Sequence, residues 1–292
     1  MAVPANTLLT PRAPNLPVGG IVYEQRYQEQ LNNSLRIYFN QIDNVLQSLL
    51  EISTGGGTYI RAPHGAFKDG TTQTIPVNTE QVTRLDTTDL SNGVSLGSHT
   101  AVFVGTIDDG SPPGAGTVLT VASVTSGTIL LGMTLTGGAI SAGTKVVSQT
   151  SGAVGGVGVY VVSISQERTS LTITGTVQSK IVVSEPGIYS LTFRSQYQNV
   201  NAADMIASVW IRLNGTDVVG SNSFTTVPLG TQYALATGSY SLSFAAGDYV
   251  EIWWSANSAD ISLLFSAAGS GPTRPTTASV IATMSFVSAL TV

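Results

Sequence analysis

The stretch GIYSLTFRSQY, residues 187–197, carries apolar side chains (Ile188, Leu191, Phe193) among hydroxyl and polar ones, directly after the turn sequence Glu185-Pro186-Gly187. A period near two is the mark of a half-buried strand. Working outward, the same texture recurs at Ile181–Ser184, Ala207–Leu213 (Val209, Trp210, Ile211), Tyr240–Phe244, Tyr249–Ser255, Ile261–Ser266 and Ala278–Val287. Upstream, from Gly65 onward, Phe67–Thr74, Gln81–Thr88 (Val82, Leu85) and Val94–Leu96 read the same way. Turn dipeptides fall between these runs, at Asn214-Gly215 and at Ala246-Gly247-Asp248. So many short strands at such intervals predict a mainly β chain, an antiparallel sandwich with a jelly roll as its expected form. Residues 58–97 and 178–292 would build it.

Between residues 98 and 177 the texture changes to Gly, Thr, Ser and Val with almost no aromatics. The runs VLTVASVTSGTILLGMTLTGG, AGTKVVSQTSGAVGGVGVYVVS and TSLTITG each pair apolar β residues with Gly-rich turns. This predicts a small separate β domain spliced into a surface loop of the sandwich. Such an insertion is cheap, because loop-closure entropy grows slowly with loop length.

One segment has a different period. In QEQLNNSLRIYFNQIDNVLQSLLEIS the large residues Leu31, Leu35, Tyr38, Ile42, Val45, Leu49 and Ile52 are spaced 4, 3, 4, 3, 4 and 3 apart. That is a heptad seam, about 30 Å long at 1.5 Å per residue. It predicts a helix from about Glu24 to Ile52 within residues 23–53, with Glu24 and Glu29 near its positive end and Thr54-Gly55-Gly56-Gly57 as its stop. Leu46 and Leu50 widen the seam, which favours three helices over two. The alternative is an amphipathic helix packed on its own chain. Residues 1–22 form an arm with Pro4, Pro11, Pro14 and Pro17, which cannot fold alone. It is either a disordered tail or a docking arm that orders on a partner through Val3, Leu8, Leu9, Leu16 and Val18.

Only 10% of the residues are charged, against about 25% in soluble domains, so hydroxyls, amides and glycine must cover much of the surface. Mean hydropathy is +0.24, yet no apolar run approaches the roughly 20 residues of a membrane span. The N-terminus lacks the layout of a signal peptide. Twelve Lys and Arg in a chain of net charge −5 offer no basic patch for phosphates, which argues against nucleic-acid binding. Cysteine is absent, and with it disulfides and thiolate chemistry.

Catalytic or metal chemistry finds little footing. His64 and His99, the two histidines, have no second histidine or carboxylate at ligand spacing. Asp108-Asp109-Gly110 is an adjacent acidic pair in a loop of the Gly-rich segment, a solvated turn rather than a dyad or a calcium loop. The glycines of Thr54–Thr58 and Gly152–Gly158 lack the lysine and the strand–loop–helix setting of a phosphate cradle. No cofactor is expected. Trp253 and Trp254, on adjacent positions of one strand, point to opposite faces: one belongs to the core, the other to a subunit contact or to an exposed face that could stack on a sugar.

Three parts of the chain resemble known families. QEQLNNSLRIYFNQIDNVL with the arm before it resembles the N-terminal segment of structural proteins from marine tailed phages. PHGAFKDGTTQTIPVNTEQVTRLDTTDLSNGVSL, continued by SKIVVSEPGIYSLTFRSQYQN, DYVEIWWS and PTRPTTASVIATMSFV, resembles a phage virion domain of the C1q/tumour-necrosis-factor-like jelly-roll type. The 98–177 segment is similar to a Gly/Thr/Val-rich module found inside other phage virion proteins. The resemblance implies a non-enzymatic homotrimer on the virion surface, a head fibre or decoration protein bound to a major capsid or tail protein through its arm. Its alternative is a short tail fibre or a tip that engages a host receptor or glycan.

Overall fold

The computed structural model describes residue 16 and residues 24–50, 62–108 and 114–289. The chain divides between Ala62 and Pro63 into two compact units.

In the first unit, α1 runs Gln25–Leu50. It starts one residue inside the expected boundary, and the Gln28 N–H donates to the Glu24 carbonyl. Glu24 therefore precedes the first turn.

The second unit is β throughout its described elements. In chain order they are β1 (His64–Asp69), β2 (Gln73–Thr74), β3 (Glu80–Val82), β4 (Thr87–Asn92), β5 (Val94–Asp108), β6 (Gly116–Ser126), β7 (Thr134–Thr136), β8 (Val146–Gly152), β9 (Gly158–Gln166) and β10 (Arg168–Val183). They continue as β11 (Gly187–Asn199), β12 (Met205–Leu213), β13 (Thr216–Asp217), β14 (Ser223–Val227), β15 (Gln232–Phe244), β16 (Tyr249–Ala256), β17 (Ile261–Leu263), β18 (Gly269–Ser270), β19 (Thr273–Arg274) and β20 (Val280–Ser288).

One sheet has the order β2-β17-β11-β20-β1-β4 with β15 along the other edge of β11; the second has the order β13-β12-β16-β10-β5-β6-β9-β8. The named pairings among these strands are antiparallel, and the two sheets form a sandwich-like arrangement. β11 is its central strand. Tyr189, Leu191, Phe193 and Tyr197 alternate inward and are buried, whereas Ile188 is only half-buried. Facing them from the second sheet are Val183, Val209, Ile211, Val250, Ile252 and Trp254, all in one hydrophobic core. Two runs that read as single strands are broken: Phe67–Thr74 becomes β1 and β2, and Gln81–Thr88 becomes β3 and β4.

The Gly-rich segment has its own core, with Phe103, Ile107, Leu119, Met133, Tyr160 and Ile173 buried in it. Its expected borders at residues 97 and 178 fall inside two continuous strands. β5 and β10 pair from Val94 with Val183 through to Ile107 with Arg168, shifting register between Gln178 and Lys180. A strand extended past the sandwich keeps its ladder bonds, so the sheet of one core runs on into the other without a linker. Asp108 is the last residue of β5 rather than a loop position, and Asp109 and Gly110 lie outside the described residues.

Candidate functional site

On α1, the seam residues Leu31, Leu35, Tyr38, Ile42 and Val45 are each half-buried, while Asn32, Asn33, Arg36, Asn40, Gln41 and Asn44 between them are exposed. Leu46, expected to widen the seam, is 48% exposed, and Phe39, one heptad earlier on the same flank, is 61% exposed, whereas Ile37, 49% exposed, lies away from the stripe. Leu16, expected to be an anchor residue, is exposed. The Leu49 side chain, Ile52, Val3, Leu8, Leu9 and Val18 lie outside the described residues.

The two adjacent tryptophans correct the sequence reading. Both are buried. Trp254 packs in the sandwich core beside Tyr197, with ring centroids 5.8 Å apart. Trp253, one residue earlier on β16, packs on the opposite face of the sheet into the core of the Gly-rich segment. Alternation along the strand gives each core one indole. The open face of Trp253 is covered by the Arg212 guanidinium, 3.8 Å from the ring centroid. Neither ring is a free platform.

Trp210 is the more accessible indole. It pairs with Trp253 across β12 and β16 and is half-buried. Its Nε1–H donates to Asp217 Oδ1 at 2.8 Å, and Arg212 Nε donates to the same oxygen at 2.6 Å. Arg212 also reaches Glu80 Oε2 at 2.7 Å. The Arg212 guanidinium, helped by the indole N–H, holds the Asp217 carboxyl below the usual carboxylate range. Beside this group lies a depression of about 320 Å³, edged by Trp210, Asp217, Ser208, Ser255 and Asn222.

Two buried polar clusters sit where the two cores meet. In the first, His99 on β5 and Glu251 on β16 join across β10: His99 Nε2 meets Glu251 Oε1, and the bulged Ser179 Oγ donates to that same oxygen at 3.1 Å. Glu251 is buried. Hydroxyl and ring thus share one acceptor instead of lying in series, whereas a nucleophile activated by the ring needs its hydroxyl on the ring nitrogen. Sequence spacing gave no sign of this pair, because its members are 152 positions apart.

In the second cluster, Asp69 at the end of β1 is fully buried. It accepts hydrogen bonds from Gln73 Nε2 at 2.5 Å, Ser279 Oγ at 3.0 Å and Thr71 Oγ1 at 2.9 Å, with Arg84 Nη2 at 3.8 Å. Burial pushes its carboxyl up to about 6, the neighbouring Asp86 adds to the rise, and Arg84 opposes it. Partial burial would raise Asp86 as well. The Thr87 hydroxyl, the Gly70 N–H, Asp69 and Arg84 outweigh it and hold Asp86 below its ordinary value. Below about pH 6 the proton of this pair therefore sits on Asp69 rather than on Asp86. A cavity of about 400 Å³ opens beside the pair, with Lys145, Gly132 and Thr176 of the Gly-rich segment on its far wall. Among the described residues no group of three or more His, Asp or Glu could hold a metal ion. No described helix is long and apolar enough to cross a membrane.

No family model and no curated protein matches the chain. Among solved structures, isomalto-dextranase of Arthrobacter globiformis T6 complexed with panose is similar at 15% identity and a TM-score of 0.20, over 87% of this chain and 44% of that one. A TM-score of 0.20 carries no information about function.

Proposed function

We propose that the chain is a non-enzymatic structural protein of a bacteriophage virion surface, a homotrimeric head fibre or decoration protein. The arm, residues 1–22, attaches it to a major capsid or tail protein. The helix, residues 23–53, bundles three copies as a coiled coil. The β body is a jelly roll that displays the 98–177 segment as an inserted domain.

The observation that carries this reading is the stripe on α1. Five apolar residues at 4-3 spacing are only half-buried, and Phe39 and Leu46 beside them are about half exposed or more. Burying a Leu or Ile contributes about 1.5–3 kcal/mol, and a heptad stripe buries most completely against copies of itself. The phage resemblance supports the same assignment, as does a β body poor in charge. Its functional content is assembly and display, with no nucleic acid, membrane or cofactor involved.

A second reading, a short tail fibre or receptor-binding tip, is favoured by the depression beside Trp210 and Asp217. Sedimentation equilibrium on the full chain should return the mass of three copies, and antibody labelling of intact particles should decorate the head. A monomer at micromolar concentration, or unlabelled particles, refutes the proposal. Label at the tail, with adsorption blocked by the antibody, selects the second reading.

A further inference from the structure

The face of β12 turned away from the sandwich core carries Ile206, Ser208, Trp210 and Arg212, because Ala207, Val209 and Ile211 alternate into that core; Trp210 rests partly against the Gly-rich core, with the Arg212 guanidinium 5.9 Å from its ring centroid. Cross-strand partners share this face: Ser255 opposite Ser208 on β16, Phe224 opposite Ser208 on β14, and Asp217 opposite Arg212 on β13. One small area therefore holds an indole, two serine hydroxyls and a carboxylate around a depression of about 320 Å³. That volume is at the lower end of small-molecule sites, which combine an apolar wall with a few placed polar groups.

The polar groups are placed. Asp217 Oδ1 receives both the Trp210 Nε1–H and Arg212 Nε, so the carboxylate is oriented before any ligand arrives. Its side chain remains 60% exposed, which leaves the second oxygen facing solvent. The loop after β13 is tied down as well: Ser221 Oγ donates to the Val218 carbonyl at 2.7 Å, and the Tyr240 hydroxyl donates to the Ser221 carbonyl at 2.7 Å. This loop turns through Gly220 at φ +79°, a left-handed position that glycine adopts at no steric cost. Side chains anchored in this way lose little entropy when they bind.

We infer that this depression is a saccharide subsite, in which one pyranose ring lies with its C–H face on the Trp210 indole and donates hydroxyls to Asp217, with Ser208 and Ser255 completing the contacts. A pyranose fits this chemistry because it presents an apolar face and a fringe of hydroxyl donors. A hydroxyl donated to an ionised carboxylate makes one of the stronger neutral-ligand hydrogen bonds. A phosphate ligand is disfavoured by Asp217 and Glu80 and by the net charge of −5. The subsite does not depend on the display reading: a trimeric decoration protein without sugar binding leaves that reading intact, and sugar binding by a monomer leaves this inference intact. If three copies do assemble, weak single sites add up through avidity.

The test uses the full chain and saturation-transfer difference NMR with the methyl α-pyranosides of glucose, galactose, mannose and N-acetylglucosamine, with glycerol as the polyol control. At least one pyranoside should receive saturation at its ring C–H protons, and glycerol should receive none. Asp217→Asn keeps an oxygen for the indole N–H while it removes the charge, and should weaken that pyranoside at least tenfold with the fold retained by circular dichroism. Trp210→Phe should weaken it by a comparable factor. Absence of transfer to all four pyranosides overturns the inference, as does equal transfer to glycerol or an affinity that Asp217→Asn leaves unchanged. If Trp210→Phe fails to fold, Asp217→Asn alone decides, because its side chain is mostly in solvent.

Discussion

Replacing Asp69 by Asn tests the buried proton at the junction of the two cores. In the folded chain the Asp69 carboxyl titrates near 6 because burial disfavours its charge and Asp86 sits beside it. In the unfolded chain it titrates near 4. Between those values the folded state binds more protons than the unfolded state, so stability falls as pH rises through that window and levels off above about pH 7. The pKa difference amounts to ~2–3 kcal/mol, withheld from the wild type at pH 8 and restored at about pH 4. Asp86 has the opposite sign, losing stability as pH falls below about 4. Asn carries no charge to bury. Its oxygen still accepts from Gln73 and Ser279, and its amide donates to Asp86 where the acid proton did. The variant should match the wild type near pH 4 and exceed it at pH 8 by ~2–3 kcal/mol, or about 5–10 °C in melting temperature for a chain of this size. The assay is thermal unfolding followed by circular dichroism from pH 4 to 8, read as variant minus wild type so that other titrating groups cancel. A difference that does not grow with pH, or a variant less stable than the wild type at pH 8, refutes the buried-proton account. The groups around the carboxyl are Arg84, Asp86 and, across the cavity, Lys145.

Other substitutions probe separate levels of the structure. Ile42→Asp puts a carboxylate on the α1 stripe, and in a trimer places three on one axis; sedimentation should report monomers, and persistent trimers would assign oligomerisation elsewhere. Gly127→Ala meets the Thr100 carbonyl oxygen at 2.2 Å with φ at +74°; strain and clash should cost ~2–3 kcal/mol in chemical unfolding, and an unchanged midpoint would refute the tight β5–β6 joint. Trp254→Ala empties the largest fully buried site of the sandwich core and should cost ~3–5 kcal/mol. A loss below 1 kcal/mol would mean that this indole is not held in a close-packed core.

The class of the fold was legible because period-two alternation and Asn-Gly or Gly-Asp turns are local properties. β11, β12 and β16 fall within two residues of where the sequence puts them. Helix α1 was equally plain from its 4-3 spacing. Boundaries between units were not. Composition changes near residue 97, but β5 and β10 continue through that point, since a ladder of backbone hydrogen bonds is indifferent to side-chain texture. The middle of β10, residues 176–180, and the first part of β15, residues 232–239, are not legible for the same reason: their backbone is paired although polar Gln, Thr and Ser interrupt the apolar alternation there.

The candidate sites divide along the same line. Sequence placed Trp253 and Trp254 on opposite faces, a consequence of the pleat, but could not say that each face has its own core; that needed the Gly-rich segment folded back beside β16. His99 and Glu251 come from different strands, Asp69 at the end of β1 meets Asp86 from the connection before β4, and Trp210 and Arg212 of β12 meet Asp217 of β13. What the sequence determined by itself was period: a β body and one heptad-striped helix. What the tertiary structure decided was partnership, namely which polar groups were carried out of water together and therefore had to satisfy one another.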